Sequence, residues 1–334
     1  MMDRQILYEI LYATAALDGR GEALFGGSAP RAAEAFARSL PGDAMPEVWF
    51  EIPLSGEPRF DLHLAVGRET LRADRGFPPE TCGGRPELFE WFARQGPAAR
   101  QMVLSWDLNT GEPPVPGFML LAGENDPGLV GGFLRAAGRG EAEERYRAFA
   151  ARLPEEWFPC YSGVFPGRPG SGLRVECIPG LRLQQAYAED PELMRRHLEQ
   201  AGFTALGDTL IPRCRTLAGM PFVLEFQFDI GEGGVPGPVI GVSLRFACPP
   251  GGEHCRPFSA AGPLMEQIAG WSLADDRRRL LGDTAFARQV RHGDESRVLF
   301  CYPAYVKLRW RDGEPEDAKA YLVAGAENRK EEPR

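Results

Sequence analysis

Basic and aromatic side chains recur at every second position near the C-terminal end of this sequence. Tyr305, Lys307, Arg309 and Arg311 alternate with Val306, Leu308 and Trp310, and Lys319 and Tyr321 flank Ala320. Arg174 and Arg245 sit in similar alternating runs. Acids follow the same rhythm: Glu51 after Trp49, Asp61 before His63, Glu176 after Arg174, and Glu225 and Asp229 around Gln227. A period of two places such residues together on one face of a strand. Arginine suits phosphate through its planar fork, and lysine suits it as a point charge. Aromatic faces stabilise and shield a carbocation. Cations held in an enclosed space without partners cost a great deal. They therefore pair with these acids or await an anionic ligand.

Other chemistries are excluded by pattern. The sequence has no GxxxxGK[ST] loop, no GxGxxG opening a helix after a strand, and no GxSxG elbow. Its four histidines show no HExxH or HxH spacing, so a zinc site is not expected. Asp275-Asp276 runs directly into Arg277-Arg278-Arg279, which is not an aspartate-rich metal motif and reads as the decoration of an exposed helix. The seven cysteines are scattered without a CxxC, and Cys248 and Cys255 flank a Pro/Gly loop, so reduced structural thiols are expected. A net charge of −9 argues against a nucleic-acid-binding surface. No apolar run reaches the length of a membrane span, and the N-terminal stretch lacks the layout of a signal peptide. The expectation is a cytoplasmic protein with neither nucleic-acid nor membrane partners.

The elements that must position these residues come from an internal repeat. Residues 102–123, 223–246 and 305–325 each read as strand, acidic Gly/Pro turn, strand. Residues 47–66 and 160–178 fit the pattern less tightly. Helical patterns fall between them, over 3–17, 31–40, 86–95, 127–153 (broken near 138–140), 192–200, 208–217, 263–271 and 275–292. The sequence thus predicts an α+β protein of five ααββ repeats. A single domain over 1–325 is followed by a charged tail over 326–334.

Each strand has one apolar face for helices to cover and one polar face. Leu224, Phe226, Phe228 and Ile230 oppose Glu225, Gln227 and Asp229; Val306, Leu308 and Trp310 oppose Tyr305, Lys307 and Arg309. An open antiparallel sheet would turn the polar face to water. That would make Lys307, Arg309 and Lys319 a solvated face, and the chain an α+β scaffold for protein contacts. A closed ten-stranded antiparallel β-barrel with an outer ring of helices would enclose a polar lumen and abolish edge strands, and closure is the expectation.

This layout resembles the ABBA-fold (PT-barrel) aromatic prenyltransferases, which include fungal indole enzymes and cyanobactin peptide prenyltransferases. The resemblance covers nearly the whole chain. Lys319-Ala320-Tyr321 matches the family's Lys-x-Tyr strand pattern, and Lys307-Leu308-Arg309 matches its alternating basic pair. Glu51 falls where the family places its acidic base. Asp61-x-His63 and Met119-x-Leu121 stand where earlier units would carry Lys-x-Tyr.

The resemblance implies a transferase moving an allylic group from a prenyl diphosphate to an aromatic small molecule or peptide side chain. Arg174, Arg245, Lys307, Arg309 and Lys319 would hold the diphosphate and stabilise it as it leaves. Tyr305 and Tyr321 would shield the allyl cation from water, Trp49 would stack on the acceptor, and Glu51 would take its proton. No motif requires a cofactor, and the inward acids leave room for Mg²⁺ bridging to the diphosphate. The alternative is a non-catalytic barrel that binds an anionic or peptide ligand.

Overall fold

The structure, a computed structural model, describes residues 4–39, 47–67, 85–108, 115–123, 125–168, 172–246, 261–292 and 295–328. Eleven strands lie among them: β1 (Glu47–Pro53), β2 (Asp61–Val66), β3 (Ala99–Trp106), β4 (Gly117–Ala122), β5 (Trp157–Val164), β6 (Leu173–Pro179), β7 (Val223–Ile230), β8 (Pro236–Arg245), β9 (Phe286–His292), β10 (Glu295–Arg311) and β11 (Glu314–Asn328). Neighbouring strands are antiparallel, in the order β1 to β8, then β10 and β11. Strand β11 returns to pair with β1 from Glu47 opposite Gly325 to Pro53 opposite Lys319. Ten strands therefore close into a barrel, and β9 is an additional strand on the early half of β10.

Helices cover the outside. They are α1 (Arg4–Ala16), α2 (Gly21–Phe25) and α3 (Ala29–Ser39) before β1, and α4 (Pro86–Ala93) before β3. Next come α5 (Pro127–Ala136) and α6 (Ala142–Ala150) before β5, and α7 (Leu181–Glu189), α8 (Pro191–Gln200) and α9 (Leu210–Ala218) before β7. Helix α10 (Gly262–Gly270) and a 3₁₀ helix (Asp276–Thr284) precede β9. The number of helices per hairpin thus varies around the barrel among the described residues. Local chemistry sets several starts. Asp126 caps α5, accepting from the amides of Gly128 and Leu129, and Pro127 opens the helix with the preset backbone angle that position needs. Asp190 and Pro191 repeat the device at α8.

The core lies between this jacket and the outer face of the barrel. Val48, Phe50, Ile52, Leu62, Leu64, Phe118, Leu120, Phe226, Phe228, Leu308 and Trp310 are buried there. Burying one such side chain contributes about 1.5–3 kcal/mol. Phe25 of α2 meets Phe50 and Phe60 edge-on, and Trp157 stacks on Phe226 while its indole N–H donates to the Tyr187 hydroxyl. The apolar faces read from the sequence are the ones packed against helices.

Three features depart from expectation. Residues 275–292 do not form one helix. Asp275 caps a 3₁₀ turn, and the chain then becomes β9, because the extended β10 offers Glu295–Cys301 as a pairing edge. Arg277 and Arg278 do not decorate an exposed helix. Their side chains are 10% exposed and tied to Asp275, Asp276, Glu266 and the Gly56 carbonyl. Strand β11 continues to Asn328, past Gly325, where the sequence reading ended the domain. Cys160, Cys177, Cys214 and Cys301 are buried. Cys82, Cys248 and Cys255 lie outside the described residues. No helix among the described residues is long and apolar enough to cross a membrane.

One turn has no room for a side chain. Asp312 and Gly313 form the β10–β11 turn with φ of 52° and 79°, as tight hairpins demand. A Cβ on Gly313 would lie 2.4 Å from Gly207, itself at φ +55°. Gly313→Ala is expected to cost about 1–3 kcal/mol from backbone strain, with steric overlap in addition. Thermal unfolding should show a lowered Tm; an unchanged Tm would contradict this contact.

Candidate active site

Closure brings the polar faces of the strands around one lumen. Its centre is aromatic. Tyr305 and Tyr321 are register partners across β10 and β11, so their rings stack at 4.0 Å with 13° between planes. Trp49, on β1, lies 5.7 Å from Tyr305 and donates its indole N–H to Glu47. Arg245 lies over the Tyr305 ring at 5.1 Å, and the Lys307 ammonium is 5.3 Å from the Tyr321 ring. A bulge in β10 between Pro303 and Tyr305 lets Tyr302 share the aromatic surface of Trp49 and Tyr305 despite the odd spacing.

Charged groups on the wall are matched. Glu51 holds Lys319 through Oε1; its Oε2 accepts from the Tyr321 hydroxyl at 2.6 Å and lies 3.2 Å from His63 Nε2. Burial opposes ionisation of Glu51, but Lys319 and His63 outweigh it and hold the carboxyl well below the usual range. Glu51 in turn raises the pKa of Lys319. Arg174 grips Asp229, Arg245 grips Glu225, and Arg168 grips Asp107, each through two hydrogen bonds. Arg309 pairs with Asp317 and Glu316. Lys307 is the loosest: its ammonium is 3.9 Å from Glu176, whose Oε1 already accepts from Ser243. Burial pulls the Lys307 pKa below its ordinary value, with Glu176 resisting.

Glu176 and Glu225 lie within hydrogen-bonding reach of each other. Burial and the charge of Glu176 push Glu225 up to about 7, despite Arg245. Between its ordinary 4.5 and about 7, the folded chain holds a proton that the unfolded chain releases. The Glu225 contribution to stability therefore falls as pH rises through that window. Urea unfolding should show this slope in the wild type and its loss in Glu225→Gln; identical slopes would contradict it.

The lumen contains two adjoining cavities. The inner one, about 610 Å³ counting space open to solvent, has Trp49, Val103, Met119, Tyr161, Phe165, Tyr305 and Tyr321 among its lining, with Glu51, His63, Arg174, Arg245 and Lys307. The outer one, about 1020 Å³ on the same count, is lined by Arg59, Asp61, Asp107, Asp229, Arg309, Asp317 and Lys319 among others. Glu51, Arg168, Arg174, Gln227, Lys307 and Tyr321 border both. Thus Trp49, Glu51, Arg174, Arg245, Lys307, Tyr305 and Tyr321 meet at the inner cavity, while Arg309 and Lys319 line the outer. Arg311 turns away to Glu316, half-exposed. Sequence reasoning missed Arg168, which lies beyond the end of β5 and has no strand rhythm to reveal it. It also missed Asp317, whose alternation with Lys319 and Tyr321 was there to be read.

Glu51, Glu176, Glu225 and Asp229 each face a wall cation, and among the described residues no set of three or more His, Cys, Asp or Glu is arranged to hold an ion.

A helix-jacketed, ten-stranded antiparallel barrel closed on a polar lumen is the ABBA fold. Among solved structures, the chain resembles 5-dimethylallyltryptophan synthase from Streptomyces coelicolor at 12% identity and a TM-score of 0.52, covering 96% of each chain. The structure of that synthase in complex with DMASPP and Trp matches at 11% identity and a TM-score of 0.53, covering 96% of this chain and 94% of that one. At such identity the likeness is one of fold. No family model and no curated protein matches the sequence.

Proposed function

We propose that this chain transfers an allylic group from a prenyl diphosphate to an aromatic small molecule or peptide side chain. The observation that supports this most is the stacked Tyr305–Tyr321 pair, with Trp49 beside it and Lys307 and Arg245 over its rings. A cation forming among those rings is stabilised and kept from water. The adjacent ammonium and guanidinium groups stabilise charge on a departing diphosphate. Arg174, Arg309 and Lys319 extend that basic surface toward the outer cavity. In the synthase of the same fold, DMASPP and Trp are bound together; here Trp49 would stack on the acceptor, and Glu51 is the ionised group toward which the acceptor's proton moves.

A second reading, a barrel that binds an anionic or peptide ligand without transfer, is favoured by the pairing of the arginines with carboxylates. Pyrophosphate should raise the Tm of the wild type, since a ligand of the folded state alone stabilises it. Lys307→Ala/Lys319→Ala should lose that rise. No rise in the wild type, or an equal rise in the variant, would remove the anion site. Incubation with dimethylallyl diphosphate and tryptophan, tyrosine or short peptides separates transfer, which yields prenylated product, from binding alone.

A further inference from the structure

Two residues that line the inner cavity each hold a buried polar atom with no hydrogen-bond partner among the described residues: His63 Nδ1 and Ser105 Oγ. They belong to cross-strand partners, His63 on β2 opposite Ser105 on β3. His63 is 7% exposed and Ser105 2%. Buried polar groups are nearly always satisfied, so two adjacent exceptions lining one cavity mark a place where a ligand completes the set.

Glu51 fixes the form of the histidine. An ionised carboxylate only accepts hydrogen bonds, so the Nε2 facing Glu51 carries hydrogen. In a ring that carries one hydrogen, Nδ1 is then a bare lone pair. Glu51 is less suited to first contact with a substrate. Its Oε1 is engaged by Lys319 and its Oε2 by Tyr321 and His63, and those partners make it a weak base.

We propose that His63 and Ser105 form the polar subsite for the acceptor, with His63 Nδ1 receiving first the hydrogen bond and then the proton of an aromatic N–H or O–H. This inference rests on the prenyl-transfer reading. The donor's C–O bond breaks and its electron pair leaves with the diphosphate. The acceptor ring supplies the pair for the new bond to the allylic carbon. Its N–H or O–H bond breaks, the pair stays with the ring, and the proton joins Nδ1. The resulting imidazolium is stabilised by Glu51 through Nε2–H, as carboxylates stabilise catalytic histidines elsewhere. Ser105 offers a hydroxyl beside the same group. The subsite selects aromatic rings that carry a hydrogen-bond donor, such as indoles and phenols.

Paired probes test this: indole against 1-methylindole, and phenol against anisole, titrated into the wild type with pyrophosphate present. At least one N–H or O–H probe should bind about tenfold or more tightly than its methylated partner, the preference expected of a buried hydrogen bond. His63→Gln and Ser105→Ala should shrink that preference. His63→Gln should also lower kcat for prenylation by dimethylallyl diphosphate about 10²–10⁴-fold, with Tm checked to confirm folding. Equal affinities in the wild type, an undiminished preference in both variants, or no binding of any probe overturns the subsite. Donor turnover measured alongside shows whether the transfer reading survives that failure or falls with it.

Discussion

Glu51→Ala should lose both stability and activity. The carboxylate holds Lys319, the Tyr321 hydroxyl and His63, so its removal strands a largely buried cation and two polar groups together. Breaking such a pair costs about 3–5 kcal/mol, and the lower end is expected because Lys319 keeps some contact with solvent. Glu51→Gln keeps the volume and an accepting oxygen, so its stability loss should be smaller. Prenyl transfer should fall about 10²–10⁴-fold in both, since neither can stabilise a proton gained from the acceptor. Urea unfolding and steady-state kinetics on the two variants separate these effects. Full activity in Glu51→Gln would deny the carboxylate any role in proton transfer.

Lys307→Met should divide the two properties in the opposite way. Lys307 is largely buried, its side chain 12% exposed, and its nearest carboxylate is 3.9 Å away, so the folded chain gains little from its charge. An unbranched apolar replacement fills similar space, and stability should hold or rise. The same weak pairing leaves the ammonium available to an incoming diphosphate, whereas Arg174, Arg168 and Arg245 are each gripped at both ends of the fork. Removing one preorganised donor of this kind should lower kcat/KM about 10²–10³-fold. A variant with reduced stability and undiminished kcat/KM would mean that Lys307 serves the fold alone.

Alternation carried most of the architecture. Once Leu224, Phe226 and Phe228 needed covering while Glu225, Gln227 and Asp229 did not, helices had to lie on one side and a polar surface on the other. All nine candidate site residues read from that rhythm, from Trp49 to Tyr321, line the lumen. Rhythm could not show pairing. That Arg245 is spoken for by Glu225, while Lys307 is only loosely held by Glu176, depends on neighbours set by register across β6, β7, β8 and β10. Nor could it show β9. Phe286–His292 is short and carries Arg288 and Arg291, and it becomes a strand because β10 extends far enough to pair with it. Arg168 escaped for a similar reason: an arginine in a loop has no face until the barrel closes.

The most direct test of a lumen built for prenyl diphosphate is binding of the unreactive dimethylallyl S-thiolodiphosphate, measured by calorimetry in the wild type and in Lys307→Met. Saturable binding at a single site in the wild type, weakened about tenfold or more when the ammonium is lost, is the expected result. No binding, or equal affinity in the two proteins, would contradict it.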